Sequence, residues 1–193
     1  MVSVPQAEPQ AAIRRYSNTA VTLHWLTVLF VVCQAVLGFA FADMADGPQK
    51  MNLFTWHKTL GALILLTTLV RLGYRLTNPP PPYSPDLPRW ERLAGTWNHW
   101  AFYVLLIVMP LTGLTAVSAR TPGAFTKLAF GIPLPVIPGV GKDMGETFGD
   151  IHAALALVLI ALIVLHIAAA LKHQFFDRLP AAGRMPPFRP GDH

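Results

Sequence analysis

The chain has 193 residues, 53% of them hydrophobic and only 13% charged, and its mean hydropathy is +0.43. An ordinary soluble domain carries roughly a quarter charged residues, so this composition excludes a soluble globule and points to an integral membrane protein. The net charge of +5 and pI of about 9.7 do not indicate nucleic acid, because the 15 Lys and Arg are spread through short segments between apolar runs, as membrane orientation requires. The one cysteine, Cys33, lies inside an apolar run and excludes both an intrachain disulfide and a thiolate metal cluster.

In chain order, an N-terminal arm (1–18) precedes four apolar runs at about 19–42, 55–76, 97–118 and 151–171, and a tail (172–193) closes the sequence. Each run is long enough to cross a hydrocarbon core of about 30 Å as a helix, which satisfies its own backbone hydrogen bonds in lipid. The expectation is an all-α, four-helix transmembrane bundle without strands. The connections are polar or broken by Pro and Gly: Asp43 to Pro48, Asn78 to Pro82, and a long stretch from Arg120 to Asp150. Within the last, Phe130 to Pro138 holds too many prolines for a fifth span, and it is expected either to fold over one end of the bundle or to rest on lipid. Ala40-Phe41-Ala42 imitates a signal-peptidase site. The run before it is longer than a signal segment and contains a histidine, so cleavage is not expected.

Ten basic residues fall on one side of the four spans: Arg14 and Arg15, Arg71, Arg75, Arg89 and Arg92, and Lys172, Arg178, Arg184 and Arg189. Five fall on the other: Lys50, Lys58, Arg120, Lys127 and Lys142. The positive-inside rule then places both termini in the cytoplasm.

Four histidines sit within or at the ends of spans, where lipid makes a polar group costly. With alternating helix directions, His24 and His166 share a cytoplasmic-side level, and His57 and His152 share an outer level. His152 and His166 are 14 residues apart, two heptads and about 21 Å of helical rise, and so lie on one face. Two imidazoles at each level can grip one flat cofactor from both sides, and bis-histidine haem iron suits that arrangement. The same step of 14 leads from His24 to Gly38, where a missing side chain leaves room at the outer level. It leads from His57 to Arg71, a cation placed to pair with a haem propionate or to snorkel towards water, and from His99 to Gly113. Gly61, one turn from His57, also removes bulk beside the outer level. A lone intramembrane histidine, or a glycine, is more often a helix-packing residue. Four histidines at two matched depths are harder to explain that way.

Thr22-Leu23-His24-Trp25-Leu26, Trp56-His57-Lys58 with Gly61, Arg71-Leu72-Gly73-Tyr74-Arg75-Leu76, Asn98-His99-Trp100, Pro110-Leu111-Thr112-Gly113, Ile151-His152 and Leu165-His166-Ile167-Ala168-Ala169-Ala170 together resemble the bacterial cytochrome b561 family over about residues 15–178. The resemblance implies two b haems in the cell inner membrane, His24 with His166 on the cytoplasmic-side haem and His57 with His152 on the periplasmic-side haem. It also implies electron exchange between a donor and quinone or a protein partner, and in one branch superoxide oxidation coupled to ubiquinone reduction. A funnel for anionic superoxide would be basic, whereas Arg120, Lys127 and Lys142 are balanced by Asp143, Glu146 and Asp150.

His99 opens the third span and His173 follows His166 by seven residues; each is placed to hydrogen-bond a quinone carbonyl or to stay a plain interfacial histidine, and His173 is a rival to His166 as ligand. His193 lies in the tail. Trp25, Trp56, Trp97 and Trp100 near span ends suit an interfacial aromatic belt. Two other readings stay open: a haem-bearing anchor subunit of a respiratory dehydrogenase or hydrogenase, and a histidine-dependent metal or proton transporter. The electron donor and a homodimer are likewise open.

Overall fold

The computed structural model describes residues 15–83, 87–177 and Met185; the basic residues Arg14, Arg178, Arg184 and Arg189 and the tail His193 lie outside them. Four helices carry the fold: α1 (Asn18–Ala42), α2 (Pro48–Thr77), α3 (Arg89–Ser118) and α4 (Lys142–Phe175). All four are long and apolar enough to cross a membrane. Large apolar side chains such as Leu29, Val36 and Phe39 on α1 and Leu157, Val164 and Leu165 on α4 stand exposed along them. In water such surfaces would drive association, whereas lipid solvates them.

Local chemistry sets the helix ends. The Ser17 hydroxyl accepts the Ala20 N–H at 3.2 Å and caps α1. Pro48 occupies the first turn of α2, where its missing N–H costs nothing, and Pro79 to Pro82 prevent continuation after Asn78. The helices run beyond the apolar spans: α2 begins seven residues before Thr55, α3 eight before Trp97 and α4 nine before Ile151. Hydropathy marks the lipid-facing length of a helix and is silent about its polar extensions.

Chain neighbours pack as two helical hairpins, α1 with α2 and α3 with α4, joined through α2 and α3. Between the histidine levels lies an apolar core of Ile64, Leu105, Leu106 and Leu159, with Phe30, Val31, Phe102, Met109, Leu155, Leu162 and Ile163 packed against it. Its composition follows from the repeat. Val31, Ile64, Leu106 and Leu159 each stand seven residues after His24, His57, His99 and His152, and seven before Gly38, Arg71, Gly113 and His166. One inward face of each helix therefore reads polar or glycine, apolar, polar or glycine.

The expectation of no strands needs correction. The connection between α3 and α4 contains a small antiparallel pair, β1 (Phe125–Lys127) and β2 (Pro133–Pro135), with a 3-10 turn at Ala129–Gly131. Prolines in β2 argue against a strand in an extended sheet, but a two-stranded ribbon leaves each proline a free edge. The ribbon docks on the end of α2 beside His57. The Lys58 ammonium donates to Thr126 Oγ1 at 2.8 Å, and the buried Ala129 N–H donates to Thr59 Oγ1 at 2.8 Å. The Ile137 N–H donates to Ser118 Oγ at 3.0 Å, which ties the far side to α3. The connection thus folds over one end of the bundle. At its tip Phe130 takes φ 59°, a left-handed conformation that costs an aromatic residue, and its exposed ring meets Trp56 at 5.5 Å.

Candidate functional site

At the first level α2 and α4 bring the rings of His57 and His152 to 6.0 Å between centroids. His152 Nδ1 donates to the Met109 carbonyl of α3 at 2.8 Å. A carbonyl only accepts, so this bond puts the ring proton on Nδ1 and leaves Nε2 with a lone pair, the tautomer a metal-ligating histidine needs. The approach depends on Gly113, one turn beyond Met109: a Cβ there would lie 3.0 Å from His152 Nδ1 and Cε1. His57 packs against α1 beside a glycine in the same way. Its Nδ1 is buried without a hydrogen-bond partner, and a Cβ on Gly38 would lie 3.4 Å from its Cε1. The edge of Phe41 closes one side of the His57 ring at 5.1 Å.

Gly38 and Gly113 therefore make room for the imidazoles themselves, where the sequence reading assigned Gly38 to clearance for a cofactor. Gly61 faces the Gln34 amide, 3.4 Å from the place of a Cβ. Gln34, buried in the lipid-crossing part of α1 with its Oε1 unpartnered, escaped the sequence reading because a lone amide in an apolar run carries no spacing signal.

The second level gathers three histidines rather than two. His24 on α1 and His166 on α4 lie close enough to interact electrostatically. His99 on α3 brings its ring within 5.7 Å of His166. Arg71 donates to His24 Nδ1 at 3.0 Å, and the Asn98 amide meets His166 Nδ1 at 3.1 Å. Arg71 and Arg75 also lie over the Tyr103 ring, each at 5.7 Å, so the two cations are packed against aromatic faces rather than free in lipid. Arg71, Arg75, His99, Tyr103, Tyr74 and Tyr16 line one small pocket at this end of the bundle.

His173 stands apart. Its Nδ1 meets Asp177 Oδ2 at 2.8 Å and its Nε2 lies 3.6 Å from Glu91 Oε2, while the Lys172 ammonium bridges Glu91 at 2.9 Å and Asp177 at 2.8 Å. Both ring nitrogens thus face carboxylates within a polar tie, carried by Lys172, between the start of α3 and the end of α4. Lys172, first, and His173 hydrogen-bond the Asp177 carboxylate and hold its pKa below the ordinary 3.8.

The donor set fits b-type haem iron: at one level the His57 and His152 imidazoles face each other, the latter with its tautomer fixed by a carbonyl, and at the other His24, His99 and His166 gather beside cations suited to carboxylates. A family model described as prokaryotic cytochrome b561 matches residues 15–187. Cytochrome b561 homolog 2 of Escherichia coli (strain K12) is 28% identical over 181 residues, covering 89% of this chain and 90% of the relative. A protein named probable superoxide oxidase CybB, of Yersinia pestis, is 28% identical over 181 residues, covering 92% of this chain and 99% of the relative. Cytochrome b561 homolog 1 of the same Escherichia coli strain is 25% identical over 178 residues, with the same two coverages.

Proposed function

Since the chain belongs to the prokaryotic cytochrome b561 family and is a multi-pass inner-membrane cytochrome, we propose that it holds two b haems and relays single electrons between quinone and a second redox partner. The observation that carries this reading is the bond from His152 Nδ1 to the Met109 carbonyl, with the His57 ring facing that imidazole at 6.0 Å. His57 and His152 are the ligands of the periplasmic-side haem, and His24 and His166 those of the cytoplasmic-side haem, with both termini in the cytoplasm. A b haem held by two histidines would, when bound, supply a one-electron couple. Each of the other parts has a role that the chain itself dictates.

Arg71 now donates to His24 Nδ1. A histidine that ligates through Nε2 carries its proton on Nδ1 and offers no acceptor there, so with haem bound the Arg71 guanidinium would be free to pair with a carboxylate such as a propionate. His99 lines the pocket beside these cations and is the better placed of the two candidate quinone histidines, since His173 is held by carboxylates. The apolar layer of Val31, Ile64, Leu106 and Leu159 keeps water from the path between levels.

The name of the Yersinia pestis relative favours superoxide as the electron source, and the docked ribbon beside His57 is then the surface it would approach. The test is rapid mixing of the oxidised protein with ubiquinol and, separately, with superoxide. Haem reduction by ubiquinol that is lost in His99→Phe supports the quinone site. Reduction by superoxide selects the second donor, and no response to either overturns the relay. The anchor reading predicts co-purification with an iron–sulfur or flavin subunit instead. Membership in a cytochrome family displaces the transporter reading.

A further inference from the structure

We propose that Asn98 is the positioning residue of His166, an amide that accepts the Nδ1 proton of that imidazole and so aims Nε2 at the cytoplasmic-side iron and sets its potential apart from that of the other site. The proposal rests on the ligand assignment above.

Three observations meet at this residue. The Asn98 amide nitrogen lies 3.1 Å from His166 Nδ1. Its partner atom Oδ1 is buried and has no hydrogen bond. The side chain sits on α3 immediately before His99, whose ring contacts His166 at 5.7 Å, while Phe102 closes another side of His166 at 5.4 Å. Phe102 offers no acceptor to the ring edge that Asn98 faces, and His99 meets the imidazole as a T-shaped ring contact.

An amide presents oxygen or nitrogen at nearly the same place after a half-turn about its terminal bond. With the nitrogen toward His166, Nδ1 must act as acceptor and the ring proton sits on Nε2, the atom that a ligand needs free. With the oxygen toward His166, Nδ1–H donates, Nε2 is free, and Oδ1 is no longer an orphan in a medium where an unmade hydrogen bond is costly. Ligation thus selects one of two amide orientations already available.

The two levels solve the same problem differently. His152 takes its acceptor from a backbone carbonyl, which no side-chain substitution removes. His166 takes it from a side chain, which a single substitution can remove or strengthen. An acceptor on Nδ1 makes the imidazole a more basic ligand and favours the ferric over the ferrous state. Removing it shifts that couple in the positive direction, and replacing the amide oxygen with a carboxylate shifts it in the negative direction.

The experiment is potentiometric titration and electron paramagnetic resonance of the full-length haem-loaded protein, comparing wild type, Asn98→Leu and Asn98→Asp. The signal lost in His166→Ala identifies the site. The expected result is that this couple alone moves, upward in Asn98→Leu and downward in Asn98→Asp, and that Asn98→Leu binds that haem about 10- to 100-fold more weakly. If Asn98→Leu does not fold, the near-isosteric Asn98→Asp decides by its downward shift. Couples unchanged in both variants, or both couples moving together, overturn the proposal while leaving the ligand assignment intact. A His166→Ala variant that keeps both signals overturns the ligand assignment and the proposal with it.

Discussion

Met109 can lend its carbonyl to His152 because Gly113, one turn on, has no Cβ, and the cost of adding one can be placed in order. Alanine favours a helix over glycine by about 1 kcal/mol, so Gly113→Ala should stabilise α3 if the residue served only the helix. Instead its Cβ would press on the imidazole at 3.0 Å. The expected outcome is loss of the His57–His152 haem, with the pyridine haemochrome ratio falling towards one per chain. Gly38→Ala meets His57 at 3.4 Å, close to ordinary contact, and should retain most of its haem. A second prediction concerns Asp177, whose carboxyl is held below its ordinary range chiefly by Lys172. A carboxyl depressed by folding contributes its full stability above its unfolded pKa and loses it as pH falls through the folded one. The thermal midpoint in detergent should therefore differ between wild type and Asp177→Asn at neutral pH, by a small amount because the group is exposed. That difference should fade below about pH 4; one that persists unchanged in acid contradicts the linkage.

At the scale of the element, the alternating direction of the spans set His24 with His166 and His57 with His152 at two depths, and the 14-residue step tied them to Gly38, Arg71 and Gly113. The apolar layer midway along each step, Val31, Ile64, Leu106 and Leu159, emerges from the packing. Ile64→Ala and Leu159→Ala each empty part of that layer and should cost about 2–5 kcal/mol, read as a lowered thermal midpoint of the haem-loaded protein. The spectra of both haems should change little, since each residue stands seven positions, about two helical turns, from the nearest histidine of its own helix; selective loss of one haem would place these side chains in a site instead. The ribbon of β1 and β2 was illegible for a physical reason. Three-residue strands carry no period, and Pro133 and Pro135 read as breakers unless the pair is known to stand alone. Asn98 and Gln34 were hidden differently: each is a single amide whose meaning depends on a neighbouring helix. The third histidine at the second level, His99, was visible in the sequence, but its contact with His166 follows from how α3 packs on α4.

For the whole molecule, the composition already forces most of the architecture. Four apolar helices with few charges are stable across lipid, and the polar residues they do contain face inward to find partners. Arg71 and Arg75 do so over the Tyr103 ring, and Glu91, Lys172, His173 and Asp177 tie α3 to α4 at the end of the bundle. Arg120 and Lys127 in the α3–α4 connection and Lys142 at the start of α4 are matched by Asp143, Glu146 and Asp150 on α4, so these charges give no strong attraction for an anion, and an anionic donor would depend on access to the His57 level beneath the ribbon rather than on long-range steering. Ligation by paired imidazoles at two levels is the claim on which the rest depends. It is tested most directly by counting b haem per chain in wild type and in single alanine variants of His24, His57, His99, His152 and His166. The account predicts two in wild type, a loss confined to the affected level when any of the four proposed ligands is changed, and two in His99→Ala. No haem in correctly inserted wild-type protein, or loss in His99→Ala with retention in His24→Ala, would contradict it.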